Sequence, residues 1–183
     1  MARKPRENVE GGVYHVYARG NGGAPVYLDD DDRRFYLLRL GRVTSSVGWR
    51  CLSYCLMSNH VHLLLETPHA NLSNGMQRLQ GGYAQAFNKR RERTGHLFEG
   101  RYGAVRSVSD EQLLVTAAYI ARNPVDAGLC REPAQWSWSS YRAVLAGIGP
   151  PWLDQNRLLR YFGGGAEARQ RYSDFVHSSV AGV

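Results

Sequence analysis

The order of strand-like and helix-like segments restricts the fold of this chain more than any other feature of its sequence. Residues 12–19 alternate β-prone and smaller side chains, which predicts a first strand. Four aspartates, Asp29 to Asp32, then precede apolar residues that recur at helical spacing over residues 30–47. Two further strand-like runs, at 49–57 and 60–66, are separated by only two residues, so we expect a β-hairpin.

A second helix and a fourth strand complete this pattern. Apolar residues at helical spacing predict a helix over residues 71–93, and residues 100–108 resemble a strand. Ser109 is a typical N-cap for a third helix, which Pro124 is expected to stop near Arg122. The order β-α-β-β-α-β matches the split βαβ arrangement. We therefore predict an α+β, ferredoxin-like fold, in which an antiparallel sheet has helices on one face and a free second face.

The C-terminal part of the chain predicts a separate layer of short helices. Beyond Cys130 the aromatic residues are spread through a segment without a strand pattern, which favours helices packed on the body of the protein. We therefore expect a main domain over residues 1–130 and a mostly helical extension over residues 131–183.

Basic and aromatic residues are concentrated in one segment. The net charge of the chain is +7, and between residues 77 and 106 arginine and lysine outnumber glutamate by five. Tyr83, Phe87, Phe98 and Tyr102 lie among these charges. Positive charge for phosphates combined with rings for bases is typical of proteins that bind single-stranded nucleic acid. A solvated basic helix end above buried core aromatics is an equally good interpretation of the composition alone.

Two histidines and a tyrosine are the candidates for chemistry. His60 and His62 flank one residue in a predicted strand, so their side chains share a face and are close enough to hold one divalent ion. Tyr119 and Asn123 lie one turn apart on the third predicted helix, opposite its apolar stripe. By itself each pair is weak evidence, because unrelated strand histidines and half-exposed surface tyrosines are common.

Several motifs in the same order resemble the HUH single-tyrosine transposases, and most closely their REP-associated branch. The stretch from Tyr54 to Leu64, YCLMSNHVHLL, resembles the His-hydrophobic-His strand of that family, and YIARNPV from Tyr119 resembles its catalytic helix. Shorter matches are YHV at Tyr14, RGN at Arg19, GHLFEGR at Gly95 and WSSY at Trp138, so the resemblance covers roughly residues 12 to 145. The chain departs from the pattern at Ser58, where proline is usual. This departure puts the rigidity of the turn before His60 in doubt.

The resemblance implies a mechanism and a set of functional residues. Tyr119 would attack single-stranded DNA to form a 5′-phosphotyrosine, and His60, His62 and Asn123 would hold Mg²⁺ or Mn²⁺. The substrate implied is the hairpin of a repetitive palindromic element. A metal-dependent nuclease that uses water and a non-catalytic module that binds hairpin nucleic acid remain as alternatives.

Other residues have more open interpretations. His15 is a candidate support for the metal ligands from the first strand. Cys55, if it pairs across the hairpin with His62, makes a His-His-Cys zinc site conceivable. The four aspartates are explained by helix capping, with a metal role as the alternative. The candidate DNA-binding residues are Arg19, Asn21, Lys89, Arg90, Arg91, Arg93, Arg101 and Arg122.

The sequence also suggests where the protein acts and in what form. The start of the chain, residues 1–7, is charged and no apolar segment follows it, and three cysteines fit reduced thiols. No apolar run approaches the length of a membrane span. We therefore expect a cytoplasmic, nucleoid-associated protein without a membrane partner. Both a monomer and a homodimer are compatible with the sequence, and an extension that covers the dimer surface favours the monomer.

Overall fold

The fold was analysed in a computed structural model that describes residues 8–179, so the charged start at residues 1–7 lies outside the described residues. None of the helices within this described range combines the length and apolar character needed to cross a membrane. The strands are β1 (Gly12–Arg19), β2 (Arg50–Leu56), β3 (His60–Thr67) and β4 (Gly103–Ser107). The α-helices are α1 (Asp30–Val47), α2 (Leu72–Met76), α3 (Gly82–Arg90), α4 (Asp110–Asp126), α5 (Tyr141–Ala146), α6 (Gln155–Arg160) and α7 (Ala168–Ser178).

The four strands form one antiparallel sheet in the order β2-β3-β1-β4. Strand β1 lies in the centre, and its register places Arg19 opposite His60 and Tyr17 opposite His62. Alternate residues of β1 point to opposite faces. Tyr14, Val16 and Ala18 are buried, whereas the opposite set is more exposed. The predicted α+β, ferredoxin-like architecture is confirmed.

A cluster of tyrosines joins α1 to α3. The ring of Tyr83 lies 5.0 Å from that of Tyr36 and 5.7 Å from that of Tyr27, measured between centroids. All three side chains are buried, and the Tyr83 hydroxyl donates a hydrogen bond of 2.6 Å to the Val26 carbonyl. Aromatic contacts of this kind stabilise a core beyond the burial of their area. They explain why the aromatics of the basic segment belong to the core.

The predicted helix over residues 71–93 is interrupted. Between α2 and α3, residues Gln77–Gly81 form a π-helical turn, in which one extra residue is accommodated. The two glycines at 81 and 82 lower the cost of this distortion, since glycine is poorly held in a regular helix. The low helix propensity of these glycines therefore indicated a weak point in the helix. It did not indicate that the helical pitch changes there.

The prediction that Pro124 stops the third helix was wrong, since α4 continues to Asp126. Proline has no N–H to donate to Ile120, yet its own φ suits a helix. The carbonyls of Asn123 and Pro124 still accept hydrogen bonds from Ala127 and Leu129, at 3.0 and 2.9 Å. The extra turn keeps Asn123 inside the helix, where its side chain is directed to the sheet.

The second face of the sheet is not free, contrary to the sequence-based expectation. Leu113, Ala117 and Ile120 form a buried apolar stripe on α4, and a stripe of this kind has to pack against another apolar surface. The helix lies over the face that carries the two histidines of β3, as the contacts of Asn123 with both of them show. The functional candidates therefore lie between sheet and helix.

The C-terminal segment covers the outer edge of β2. The Leu56 N–H donates to the Trp138 carbonyl, and the Ser140 N–H donates to the Tyr54 carbonyl, both at 2.9 Å. Farther along the strand, the Asp154 N–H donates to the Cys51 carbonyl at 2.8 Å. An uncovered edge strand offers unpaired backbone groups to other chains. Here the extension satisfies these groups within the same molecule.

Candidate active site

Strand β3 places His60 and His62 on one face of the sheet, as their spacing predicts. The centroids of the two rings lie 5.0 Å apart. His62 is 7% exposed, and His60, the first residue of the strand, is half-buried. The turn before β3 is closed by the Met57 N–H, which donates to the His60 carbonyl at 2.9 Å. The hairpin therefore fixes the backbone of the first histidine.

Helix α4 brings Asn123 against both imidazoles. The Asn123 Oδ1 lies 3.1 Å from His60 Nε2, and its Nδ2 lies 3.4 Å from His62 Nε2. Asn123 is 9% exposed. Three polar groups from two elements that are distant in sequence thus meet at one point.

The hydrogen bonds around His60 determine which of its nitrogens carries the proton. Asn59 Nδ2 donates to the Gly23 carbonyl at 3.1 Å, and because a carbonyl only accepts, the Asn59 Oδ1 must point the other way. This oxygen lies 2.7 Å from His60 Nδ1, which therefore donates to it. In the neutral ring the lone pair then resides on Nε2, the atom that faces Asn123.

His62 is held by a second imidazole. Its Nδ1 lies 2.9 Å from the Nε2 of His15, on the neighbouring strand β1. A neutral His62 that donates from Nδ1 presents the lone pair of its Nε2 to Asn123. The structure thus brings His15 into contact with the candidate ligand, as a supporting residue would require.

Burial keeps these imidazoles uncharged at neutral pH. It lowers the pKa of His62 to about 3, assisted by the neighbouring His15 and His60. It also lowers the pKa of His15 to about 4. The pKa of His60 is lowered by burial, while the hydrogen bond that the protonated ring would donate to Asn123 opposes this shift and the nearby Arg19 adds to it. Neutral imidazoles are the form that binds metal ions.

The three groups fit a small divalent cation. When His60 Nε2 bears a lone pair, it faces the Asn123 oxygen acceptor to acceptor at 3.1 Å, an arrangement that a shared cation would stabilise. All three donors are neutral, so the charge of a bound cation would remain available to attract a phosphate. Within residues 8–179, no cluster of three or more His, Cys, Asp or Glu could hold a metal ion.

The cysteine alternative finds no support. Cys55 does pair with His62 in the hairpin register, as a two-residue turn requires. Its side chain is fully buried, however, and its Sγ contacts the Met57 Sδ at 3.6 Å. Cys55 therefore belongs to the core, and a His-His-Cys zinc site is not formed among the described residues.

Tyr119 lies beside these groups with an accessible side chain. It is 45% exposed, and its ring centroid lies 5.4 Å from that of His62 and 5.7 Å from that of His15. A cavity of about 310 Å³ opens on one side of the tyrosine, where His60 and His62 form part of the wall. A groove of about 580 Å³ opens on the other side, against α4 and β4. An extended ligand that passes Tyr119 therefore has space on both sides of the tyrosine.

Several candidate DNA-binding residues have intramolecular partners. Arg90 and Arg91 both form ion pairs with the fully buried Asp32, and Arg91 also pairs with Asp29. Arg122 lies 3.0 Å from Asp126, one turn away on α4. The remaining candidates have exposed side chains, namely Arg19, Asn21, Lys89, Arg93 and Arg101. Their contacts with DNA stay a prediction.

The aspartates before α1 are structural residues. Asp29 caps the helix by accepting the Asp32 N–H at 2.8 Å, which confirms the capping interpretation. Asp32 accepts the Leu28 N–H at 2.9 Å and binds the two arginines of the basic segment. Sequence reasoning found the cap but missed this ionic cluster, because its partners are far apart in the chain.

Two residues of the site were missed in the sequence. Tyr17 is 44% exposed and lines the same cavity as His60 and Tyr119. Its place on β1, two residues after His15, is a signal that strand alternation offers. Asn59 orients His60, and its location in the turn gave no comparable signal.

Comparisons with known proteins identify a family and a similar fold. Residues 9–123, more than half of the chain, match a protein-family model described as "Transposase IS200 like". A solved REP-associated tyrosine transposase, bound to a REP hairpin, has a TM-score of 0.69 at 15% identity and covers 82% of this chain and 89% of its own.

A putative transposase from Deinococcus radiodurans R1 has a TM-score of 0.46 at 22% identity, and the match covers 65% of this chain and 95% of that one. A comparison with curated protein sequences returned no match. The resemblance expected from the sequence motifs is confirmed by the family model, and the fold by the REP-associated enzyme. The chain belongs to the IS200-like transposase family.

Proposed function

We propose that this protein cleaves and rejoins single-stranded DNA through a covalent 5′-phosphotyrosine on Tyr119, with a divalent metal ion in the site. The observation that carries the proposal is the convergence of two lone-pair nitrogens and one amide oxygen beside an accessible tyrosine. Each of these features also occurs in proteins without catalytic activity. Their meeting at one place is what strand cleavage by a tyrosine requires.

Cleavage is an exchange of one phosphoester bond for another. The Tyr119 Oη forms a bond to the scissile phosphorus and loses its proton, while the bond from phosphorus to the 3′ oxygen breaks. That oxygen leaves as a 3′-hydroxyl and gains a proton. The reverse reaction, with the 3′-hydroxyl of a second strand, rejoins the DNA and releases the tyrosine. Because the bond count is conserved, no nucleotide cofactor is needed.

The residues that would hold the ion are His60, His62 and Asn123, and Mg²⁺ or Mn²⁺ suits their mixed nitrogen and oxygen donors. A bound divalent ion would polarise the scissile phosphate and stabilise charge on the departing oxygen. Asn123 follows Tyr119 by one helical turn, so the same helix sets the ligand and the nucleophile. Movement of α4 would therefore displace both together.

His15 has a positioning role in this proposal. Its bond to His62 Nδ1 fixes the ring so that Nε2 points to Asn123. Second-layer partners of metal-binding histidines typically change metal affinity or activity by about 10–100-fold when they are removed. The ring of His15 also contacts Tyr119, with centroids 5.7 Å apart.

The proposed substrate is the hairpin of a palindromic repeat with a short single-stranded flank. The structurally similar REP-associated enzyme was solved with a REP hairpin, and the family of this chain acts on DNA as a transposase. The exposed Arg19 of the site cavity offers positive charge for the flank. We further propose a monomer, because Tyr119 lies in the site of its own chain and the extension covers the β2 edge.

The test is a search for the covalent intermediate. Labelled hairpin DNA from the genomic neighbourhood of this protein is incubated with the protein and Mn²⁺ and separated on a denaturing gel. A protein–DNA band is expected for the wild type and for Tyr17→Phe, the matched control in the same cavity. The band should be lost in Tyr119→Phe and His60→Ala.

Other outcomes would favour the alternatives. Cleavage that persists in Tyr119→Phe without a covalent band would indicate attack by water. Tight binding without cleavage in all variants would indicate a hairpin-binding module. A band that disappears in Tyr17→Phe and persists in Tyr119→Phe would assign the nucleophile to the strand rather than to the helix.

A further inference from the structure

A second cleft lies away from the histidines, between the π-helical turn and the loop that precedes β4. Its volume is about 710 Å³. One side is formed by the helical residues Met76, Gln77, Gln80, Gly81 and Ala84, and the other by residues 95–102. π-Helical turns are rare and often mark functional sites. This one distorts the helix at the position where it borders the cleft.

A buried amide nitrogen in the wall of this cleft has no hydrogen-bond partner in the part of the chain that the structure describes. Gln80 is 8% exposed, and its Nε2 is buried without a hydrogen bond among the described residues. A buried donor left unsatisfied is costly, so folded proteins seldom retain one without a reason. A ligand in the cleft that offers an acceptor atom would complete this group.

The walls and rim of the cleft suit a flat aromatic ligand attached to a phosphate chain. Leu97, Phe98 and Tyr102 contribute buried apolar surface. His96 and Arg101 are exposed at the same cleft. Nucleobases stack on aromatic side chains, and glutamine amides pair with the polar edges of bases. Of the ligands that combine these properties, an unpaired nucleotide fits the cleft.

The cleft is joined to the active site through backbone hydrogen bonds. The Glu99 N–H donates to the Arg19 carbonyl, and the Asn21 N–H donates to the Leu97 carbonyl, both at 2.9 Å. Arg19 in turn lines the cavity of His60 and Tyr119. The loop of the cleft therefore pairs directly with the strand end that borders the site, and one DNA molecule can reach both.

We propose that this cleft binds one unpaired nucleobase of the DNA held at the active site, with Gln80 as the residue that selects it. The inference rests on the proposed function to the extent that DNA is the ligand, but it does not depend on cleavage. Gln80 would donate from Nε2 to an acceptor on the base, while Phe98 and Tyr102 provide the apolar contact.

The decisive variant is Gln80→Met, which keeps the length of the side chain and its helix propensity but removes the amide. Removal of an unsatisfied buried donor should leave the melting temperature unchanged or higher. A second variant, Gly81→Leu, fills the cleft, since a Cβ at this glycine meets no atom within 4 Å. Gly81→Ala is its matched control, because it adds a methyl group and leaves most of the space.

Binding is measured by fluorescence anisotropy in the Tyr119→Phe background, so that cleavage does not interfere. The probes are the hairpin oligonucleotide with its flank and a series in which each unpaired nucleotide in turn is made abasic. One abasic position should weaken binding about tenfold, the value of roughly one stacked and paired base. Gln80→Met and Gly81→Leu should weaken binding to the intact probe by a similar factor. The affinity of these two variants should not fall further when the probe carries that abasic position. Gly81→Ala should bind every probe as the parent does.

Equal binding of all abasic probes, or additive losses in the variants, overturns the inference, as does an absence of binding to every probe. If the wild type forms no covalent band but the abasic position still matters, the cleavage proposal fails and the base-binding cleft stands. If the band forms and Gln80→Met binds like the parent, the cleft inference fails and the cleavage proposal stands.

Discussion

Two polar clusters of this protein differ in how far their members satisfy one another. Around Asp32, each charge has a partner of opposite sign, since two arginines bind the buried carboxylate, which also accepts the Leu28 N–H. Around His62, the groups are neutral: the lone pair of His60 Nε2 faces the Asn123 Oδ1 at 3.1 Å, and the Asn123 Nδ2 lies 3.4 Å from His62 Nε2. Both clusters were candidates for metal or phosphate binding in the sequence.

The difference shows how a structural cluster is told from a functional one. A buried carboxylate whose acceptors are all used has little left for a ligand. Three donors that face each other without charge leave a position that an ion can fill. We therefore propose that the aspartate cluster stabilises the fold and that the histidine cluster takes part in chemistry, and four predictions test that division.

The largest effect is expected for Asp32→Ala. Loss of this buried carboxylate removes the partner of Arg90 and one of the two partners of Arg91. Breaking a buried pair typically costs about 3–5 kcal/mol, and the partial exposure of both arginines places the expected loss at the lower end of this range. The free energy of unfolding from urea titration should fall by that order. The control is Asp31→Ala, since Asp31 pairs with Arg34 at the surface and should change stability by less than about 1 kcal/mol. A small effect of Asp32→Ala would show that the cluster is not the stabilising one.

Asn123 should matter for the metal and not for the fold. Removal of the amide in Asn123→Ala is expected to raise the Mn²⁺ concentration needed for half-maximal cleavage by at least about 10–100-fold, the range typical for the loss of a residue that only supports a metal ligand. Asn123→Asp keeps an oxygen donor in the same place and should retain metal dependence. Urea titration of both variants checks the fold. If Asn123→Ala cleaves at the wild-type Mn²⁺ concentration, Asn123 is not a ligand.

Acid should destabilise the protein through its buried imidazoles. The pKa of His62 is lowered to about 3 and that of His15 to about 4, from 6.5 in the unfolded chain. The unfolded state therefore binds these protons first, so the stability present above pH 6.5 is lost progressively as the pH falls towards 4 and 3. Between pH 6.5 and 5 we expect a loss of about 1–2 kcal/mol for each group at most.

The measurement is urea unfolding at several pH values in the presence of a chelator. The double variant His15→Gln, His62→Gln lacks these titrations, so the difference between its pH profile and that of the wild type isolates them from the carboxylates. Parallel profiles would mean that the two imidazoles are protonated alike in the folded and unfolded states.

The smallest effect concerns DNA affinity. Lys89 is exposed, whereas Arg91 is held by Asp29 and Asp32. Lys89→Ala should weaken hairpin binding by about threefold and reduce the salt dependence by about one released counterion. Arg91→Ala should lower stability and leave the salt dependence of binding unchanged. A reduced salt slope in Arg91→Ala would contradict the assignment of this arginine to the structural cluster.

The sequence by itself determined the features that depend on near neighbours. Alternation along a strand places His60 and His62 on one face, and helical spacing places Tyr119 and Asn123 on one side, because both periods are fixed by backbone geometry. The order of the elements gave the ferredoxin-like sheet, since consecutive elements tend to be adjacent in space. The aspartate cap of α1 was equally local.

Only the tertiary structure decided which of these groups meet. The contact of Asn123 with His60 spans 63 residues, and it required α4 to continue through Pro124 against the local tendency of proline. The pairing of Arg90 with Asp32 spans 58 residues and gives a predicted DNA-binding residue an intramolecular partner with a buried carboxylate. Local propensities amount to about 1 kcal/mol or less for most residues and about 3 kcal/mol for proline inside a helix, whereas burial of an apolar helix face contributes more in total. Packing therefore determined the positions of the polar groups in the folded chain, and with them the location of the site.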